Sequence, residues 1–277
     1  MSFLLDSLIK KIKQDTSRKR PLIMTHVVLG YPSLSESCEL AMAMIDGGAS
    51  IVELQIPFSD PLADGPTIMR ANEHAIAQGV TPHKCMRAME KLARRTDTPL
   101  LFMSYFNILY NFEHRQNGAV KEFLKSAANA GAQGIIVPDI PVEEDKNESY
   151  WTAAENYKIR PIPLVSPLTS SARLSKLSPF ATSFVYCVST TGTTGSRKSL
   201  PADIGSYLKR VKTKISAPRA VGFGISSPQH IRALSAHAEI AIVGSATIDL
   251  ISKTPPKKRG IDVRKEVRKF IERLRSA

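Results

Sequence analysis

From Leu22 onward, short β-branched and aliphatic runs alternate with longer stretches whose apolar residues recur every three or four positions, the rhythm of repeated βα units. Strands are predicted at 22–29, 50–56, 100–105, 134–137, 160–164, 183–188, 220–222 and 240–243. Helical periodicity marks 35–45, 82–94, 119–130 and 229–236 between them, and no polar linker divides the chain. Eight such units predict an α/β fold over residues 1–277, a single-domain (β/α)8 TIM barrel whose ring occupies about 20–253. An open doubly wound sheet is the alternative. The missing Gly-x-Gly-x-x-Gly after the first strand weighs against its dinucleotide-binding form.

Two patterned segments flank the ring. Phe3, Leu4, Leu8 and Ile12 form an apolar stripe on an extra N-terminal helix at 1–17, read as a plug beneath the barrel. At the other end Lys253-Thr254-Pro255-Pro256-Lys257 breaks the chain, because neither proline can donate a backbone hydrogen bond. Beyond the break, Val263, Val267, Phe270, Ile271 and Leu274 fall at helical spacing within about 261–275. That placement changes the meaning of the formal charge of +13. Arg264, Lys265, Arg268, Lys269 and Arg273 become the solvated side of an amphipathic helix, and no aromatic-interleaved basic motif points to nucleic acid.

Composition narrows the class further. With 277 residues, 43% of them hydrophobic, the chain is long enough to bury roughly 75% of its unfolded surface without covalent staples. Cys38, Cys85 and Cys187 are odd in number and widely spaced, which suits small buried hydrophobes in a reducing compartment better than disulfides. No apolar run reaches the ~18 residues of a membrane span, and Met1 to Arg20 lacks the layout of a secretory signal, so a cytoplasmic protein is expected. The six histidines show no ligand spacing, and no metal is predicted.

The candidate chemistry lies in Ile51 to Met69, IVELQIPFSDPLADGPTIM. Glu53 interrupts a buried apolar strand, and Pro57, Pro61 and Pro66 stiffen the segment bearing Asp60 and Asp64 into a shaped loop. A carboxyl group near the mouth of an apolar barrel has its ionised form disfavoured, which suits proton transfer near neutral pH. The alternatives are structural: Glu53 held by an arginine or a backbone amide, and Asp64 capping Gly65 to Thr67. A second constellation is three glycine-bearing turns after the sixth, seventh and eighth strands: Gly192-Thr193-Thr194-Gly195, Gly222-Phe223-Gly224 and Gly244-Ser245. Glycine lets peptide N–H groups approach an anion, and barrels hold phosphate after strands seven and eight, so these turns predict a phosphate cradle, against ordinary turn glycines. Ser245 is expected to add a hydroxyl and a helix cap, and the polar loop 190–200 to act as a lid.

The string Phe58-Ser59-Asp60-Pro61-Leu62-Ala63-Asp64-Gly65-Pro66-Thr67 resembles the signature of the tryptophan synthase alpha subunit family. Further matches occur at Tyr105-Phe106-Asn107, at 137–144 (VPDIPVEE), at 191–195 (TGTTG), at 222–226 (GFGIS) and at Gly244-Ser245-Ala246, so the resemblance spans about Leu22 to Lys253. It implies a lyase of tryptophan biosynthesis that cleaves indole-3-glycerol phosphate by a retro-aldol step, giving indole and glyceraldehyde 3-phosphate. The chain itself would need no cofactor, and the indole would pass to a beta subunit carrying pyridoxal phosphate in an alpha2-beta2 heterotetramer. By the same resemblance Glu53 shuttles the proton and Asp64 faces the indole nitrogen. Thr194 orients Asp64, Tyr105 lines the pocket, and Gly195, Gly224, Gly244 and Ser245 cradle the phosphate. Asp60, Asn107 and Pro141 would meet the beta partner.

Two positions depart from the family pattern. Gln55 stands where glycine is common, and period-two alternation puts it on the same side as Glu53. His26 replaces an aromatic residue bordering the indole site. Both are read as an altered pocket lining. They leave open a catalytically weak alpha-like subunit that acts mainly as allosteric partner of the beta subunit. Another sugar-phosphate barrel lyase or isomerase is a further alternative, but it predicts a lysine or additional acid at a strand end that the sequence does not show.

Overall fold

A computed structural model describes residues 4–15, 17, 19–114, 118–144, 149–188, 201, 203–222, 224–254 and 261–277. Its strands are β1 (Leu22–Val28), β2 (Ile51–Gln55), β3 (Leu100–Met103), β4 (Gly134–Ile136), β5 (Arg160–Ile162), β6 (Leu164–Val165), β7 (Val185–Val188), β8 (Arg219–Gly222) and β9 (Ile240–Val243). The described helices are α1 (Leu4–Gln14), α2 (Leu34–Asp46), α3 (Pro66–Ala77), α4 (Pro82–Ala93), α5 (Phe106–Tyr110), α6 (Ala119–Asn129), α7 (Tyr150–Asn156), α8 (Ser171–Leu177), α9 (Ile204–Lys214), α10 (Pro228–Leu234), α11 (Ser245–Lys253) and α12 (Ile261–Arg275).

All strand pairs are parallel, in the order β5-β4-β3-β2-β1-β9-β8-β7-β6. The first and last members are separated in sequence by Pro163 alone, so they are two halves of one barrel stave and the sheet closes on itself. The expected fifth strand at 160–164 is thus corrected to two short pieces. Pro163 has no N–H to offer a ladder, although its carbonyl still accepts from Tyr186 N at 2.9 Å.

Alternation along each strand divides the apolar side chains between two compartments. Met24, Ile51, Leu101, Met103, Ile240 and Ile242 point into the barrel. Ile23, Val52, Leu100, Phe102, Ala241 and Val243 face the helical layer. Helix α1 closes the lower end: Leu5, Ile9 and Ile12 join the interior cluster. Gln133 Oε1 accepts from Leu5 N at 2.7 Å, and Arg160 grips Asp6 through two hydrogen bonds of 3.0 and 2.7 Å. The paired geometry favours that ion pair over a single contact.

Helix α12 buries Val263, Val267, Ile271 and Leu274, and its backbone lies against Gly47, where an added Cβ would stand 2.7 Å from Arg268 O. Arg264 bonds Glu36 on α2 at 2.7 and 3.0 Å, and Arg268 bonds Glu272 at 2.8 Å. Part of the basic surplus therefore serves helix packing and surface pairing. Cys85 and Cys187 are buried in the outer core, where burial pushes the Cys187 thiol up to about 12.

Leu5 is fully buried at the barrel's closed end, so Leu5→Ala is expected to lower unfolding free energy by about 2–5 kcal/mol. Urea denaturation measures this, and an unchanged midpoint would contradict the docking of α1.

Candidate active site

The upper end of the barrel interior is polar where the lower end is apolar. Because β1 and β2 run parallel with His26 opposite Glu53 and Val28 opposite Gln55, His26, Glu53 and Gln55 share the inward side of two adjacent staves. All three are buried, at 4%, 3% and 0% exposure. His26 Nδ1 lies 3.2 Å from Glu53 Oε1. Glu53 is thus held by an imidazole, which corrects the structural alternative of an arginine or a backbone amide.

Asp64 reaches the same place from the loop after β2. Asn72, fully buried on α3, fixes the loop's start by accepting from Phe58 N at 3.0 Å, while its amide donates to Ile68 O at 2.9 Å. Asp64 N donates to Pro61 O at 2.8 Å, and Pro66 begins α3, where its fixed φ and missing N–H suit the first turn. The cap position belongs to Gly65, which makes no side-chain cap bond, so Asp64 does not cap α3. Its Oδ2 instead accepts from Gln55 Nε2 at 2.6 Å. The amide that departs from the family pattern therefore bonds the second acid. Thr67 ties the start of α3 to Asp249 on α11 at 2.9 Å.

Around the acids stands an aromatic wall. The Tyr105 hydroxyl accepts from Ala63 N at 3.1 Å, and its ring stacks on Phe58 with centroids 5.1 Å apart. Tyr186 was not singled out from the sequence. It is raised well above the usual tyrosine range by burial first, then by Glu53, Asp64 and Tyr105, which puts its hydroxyl among the same groups. The signal was present in Phe184 and Tyr186, which alternate on the inward side of the sixth predicted strand.

Burial raises the Asp64 carboxyl above its ordinary range; His26, Gln55 and Tyr105 oppose the rise, and Glu53 adds to it. Burial alone would depress His26, but the charge and hydrogen bond of Glu53, with smaller help from Asp64 and Gln55, outweigh it, and the imidazole is raised. Glu53 Oε2, His26 Nε2 and Gln55 Oε1 have no hydrogen-bond partner among the described residues.

The glycine turns lie on neighbouring staves. Gly222 pairs with Ile242 across β8 and β9, so Gly224 and Gly244 follow at equal distance along the chain. Gly224 has φ +62°, a conformation favouring glycine, and a Cβ at Gly222 would meet the Tyr186 hydroxyl at 3.3 Å. Gly244 occupies the N-cap of α11, so the expectation that Ser245 caps this helix is corrected: Ser245 is its first helical residue and is 5% exposed. Gly244 and Ser245 thus stand at the start of α11, where the first peptide N–H groups of a helix have no intrahelical partner to the N-terminal side, as an anion site requires. Thr194, Gly195 and the rest of the expected lid, with Gly192 and Phe223, lie outside the described residues.

Asp60 and Asn107 are exposed and Pro141 is partly so. Phe106 N donates to Asp139 Oδ1 at 2.9 Å, which joins the segments bearing Asn107 and Pro141. Among the described residues, no cluster of three His, Cys, Asp or Glu is placed to hold a metal, and no helix is long and apolar enough to cross a membrane.

A closed parallel barrel with two buried carboxyl groups at one end and glycine turns on adjacent staves defines the class as an α/β barrel with a candidate acid–base site at one end of its ring. Residues 12–276 match the family model described as tryptophan synthase alpha chain. The chain is 40% identical over 235 residues to the tryptophan synthase alpha chain of Carboxydothermus hydrogenoformans, covering 85% of each sequence. It is 37% identical over 256 residues to that of Desulfotalea psychrophila, covering 92% of this chain and 96% of the relative. Among solved structures, tryptophan synthase subunit alpha from Legionella pneumophila superposes with a TM-score of 0.86 at 27% identity, covering 100% of this chain and 98% of that one. The chain belongs to the tryptophan synthase alpha chain family. It is accordingly an alpha subunit of tryptophan biosynthesis and a lyase, and membership of the family implies a beta-subunit partner.

A buried acid with a raised folded-state pKa keeps its proton at pH values where the unfolded chain has released it. Asp64 therefore stabilises the fold as pH falls through its raised value toward the ordinary ~3.9, and carries the full cost of burying charge above that window. Asp64→Asn is expected to gain stability relative to the parent as pH is raised from about 4 to about 7. Urea unfolding at several pH values measures this, and a pH-independent difference would remove burial as the dominant influence.

Proposed function

We propose that the lyase reaction of this chain is the retro-aldol cleavage of indole-3-glycerol phosphate, with Glu53 as the proton-transferring group and Asp64 as the lasting anion. Glu53 delivers a proton to the ring carbon that bears the side chain, and positive charge develops on the ring nitrogen beside Asp64. Glu53 then takes the proton of the adjacent hydroxyl as the carbon–carbon bond breaks; its electron pair returns to the ring, and indole and glyceraldehyde 3-phosphate leave. The observation that carries this reading is two buried carboxyl groups held by different neighbours, His26 on Glu53 and Gln55 on Asp64. Such a pair divides labour between an exchanging acid and a fixed counter-charge.

The remaining assignments follow the family resemblance. Tyr105, His26 and Gln55 line the indole side, while Gly224, Gly244 and Ser245 receive the phosphate through peptide N–H groups and a hydroxyl. Thr194 and Gly195 would complete the lid and cradle. The chain needs no cofactor of its own for this chemistry. The beta subunit would carry pyridoxal phosphate, in an alpha2-beta2 assembly in the cytoplasm that meets this chain at Asp60, Asn107 and Pro141. Leu62, 89% exposed beside Asp60, supports a partner on that face.

Indole release by the full chain with its beta subunit tests the assignment. Glu53→Gln and Asp64→Asn are each expected to reduce kcat by about 10²- to 10⁴-fold. Variants as active as the parent would remove the assigned roles. The Gln55 bond that occupies Asp64 Oδ2 favours a second reading, a weak lyase acting mainly as regulator. A parent without lyase activity that still stimulates the beta subunit would select it.

A further inference from the structure

The mechanism above asks one carboxyl group to give and take a proton, yet Glu53 is bonded to a buried imidazole. The two side chains are cross-strand neighbours in register, so their contact is set by the β1–β2 ladder. The His26 ring is buried, at 4% exposure. Only Nδ1 meets Glu53, and only through Oε1; Oε2 is left without a partner among the described residues.

We propose that His26 is a positioning residue for this reaction: its Nδ1 binds Glu53 Oε1, turns Oε2 toward the substrate, and shares with Glu53 the single proton that the cleavage exchanges. The inference rests on the assignment of Glu53 as the proton-transferring group. In the resting pair the proton resides on His26 with Glu53 ionised, or on Glu53 with His26 neutral. When Glu53 protonates the ring carbon, the pair is left as neutral imidazole and carboxylate. When the hydroxyl proton returns to Glu53 as the carbon–carbon bond breaks, the original charge is restored. Nothing is oxidised or reduced, and no proton is drawn from solvent.

The groups facing His26 are Glu53 and Gln55 on β2 and Asp64 on the loop before α3, with Ile68 of α3 and Gly244 packing nearby. Tyr105, beyond the end of β3, faces Asp64, and Tyr186 on β7 faces both acids. Both phenols are raised by burial and remain neutral over the working range. Two carboxyl groups and no second cation among the described residues keep the imidazole protonated beyond its ordinary range.

A pair that shares one proton loses it at a higher pH than the carboxyl group alone. With the beta subunit present, the alkaline limb of kcat is expected to move to lower pH in His26→Asn and His26→Phe. Each variant should lose on the order of tenfold more activity at about pH 8.5 than at about pH 6.5. A uniform reduction with the limb unmoved, while Glu53→Gln remains inert, would overturn the role of His26 and leave that of Glu53 standing. A parent that releases no indole would overturn the reaction assignment and the inference with it. A second measurement does not depend on turnover or on the folding of a His26 variant. The ¹⁵N-detected titration of His26 in the full chain should move to lower pH in Glu53→Gln, and an unmoved titration would also overturn the proposal.

Discussion

The parallel register of β1 against β2 is the constraint on which the site depends. It sets His26 opposite Glu53 at 3.2 Å, and the same alternation brings Gln55 inward, where it reaches Asp64 at 2.6 Å. A one-residue slip between these strands would exchange the inward and outward sets and put the carboxylate among the helices. Ring closure protects that register, because neither β1 nor β2 has a free edge along which to slide.

The polar end tolerates its burial because its members satisfy one another in part. Burial on its own drives Asp64 toward its neutral form. Here His26 supplies a cation, Gln55 a donor and the aromatic ring of Tyr105 a wall that keeps water from the acids. Within the site an oxygen on Glu53, a nitrogen on His26 and an oxygen on Gln55 remain unsatisfied among the described residues, as do side-chain atoms of Thr25, Ser104, Tyr150, Trp151 and Ser183 elsewhere. A fold gains nothing in stability from such atoms, and those of Glu53, His26 and Gln55 belong to side chains that meet one another at the polar end.

The barrel was legible in the sequence because its signal is repeated: each stave is an apolar run and each return a periodic helix, so one ambiguous element does not disturb the count. The broken stave at Pro163 escaped, since a short apolar run reads as continuous while a single missing N–H divides the ladder. The candidate site was legible in part. Glu53 stood out as a charge inside an apolar strand, and Asp64 through the prolines around it. His26 and Gln55 were legible as pocket lining, but their pairing with Glu53 and Asp64 was not, because only the register and the folded loop show which side chains meet. Ser245 was misread as a cap because the preceding glycine takes that position, a distinction carried by backbone angles. Tyr186 was hidden in an ordinary strand whose inward direction only the closed ring defines.

The underside of the ring has a consequence of its own. With Leu5, Ile9 and Ile12 inserted from below and Asp6 bound to Arg160 on β5, the N-terminal helix shuts the lower end of an interior that side chains already fill. The polar groups are thereby left to the opposite end, and the stopper that imposes this division takes no part in their contacts.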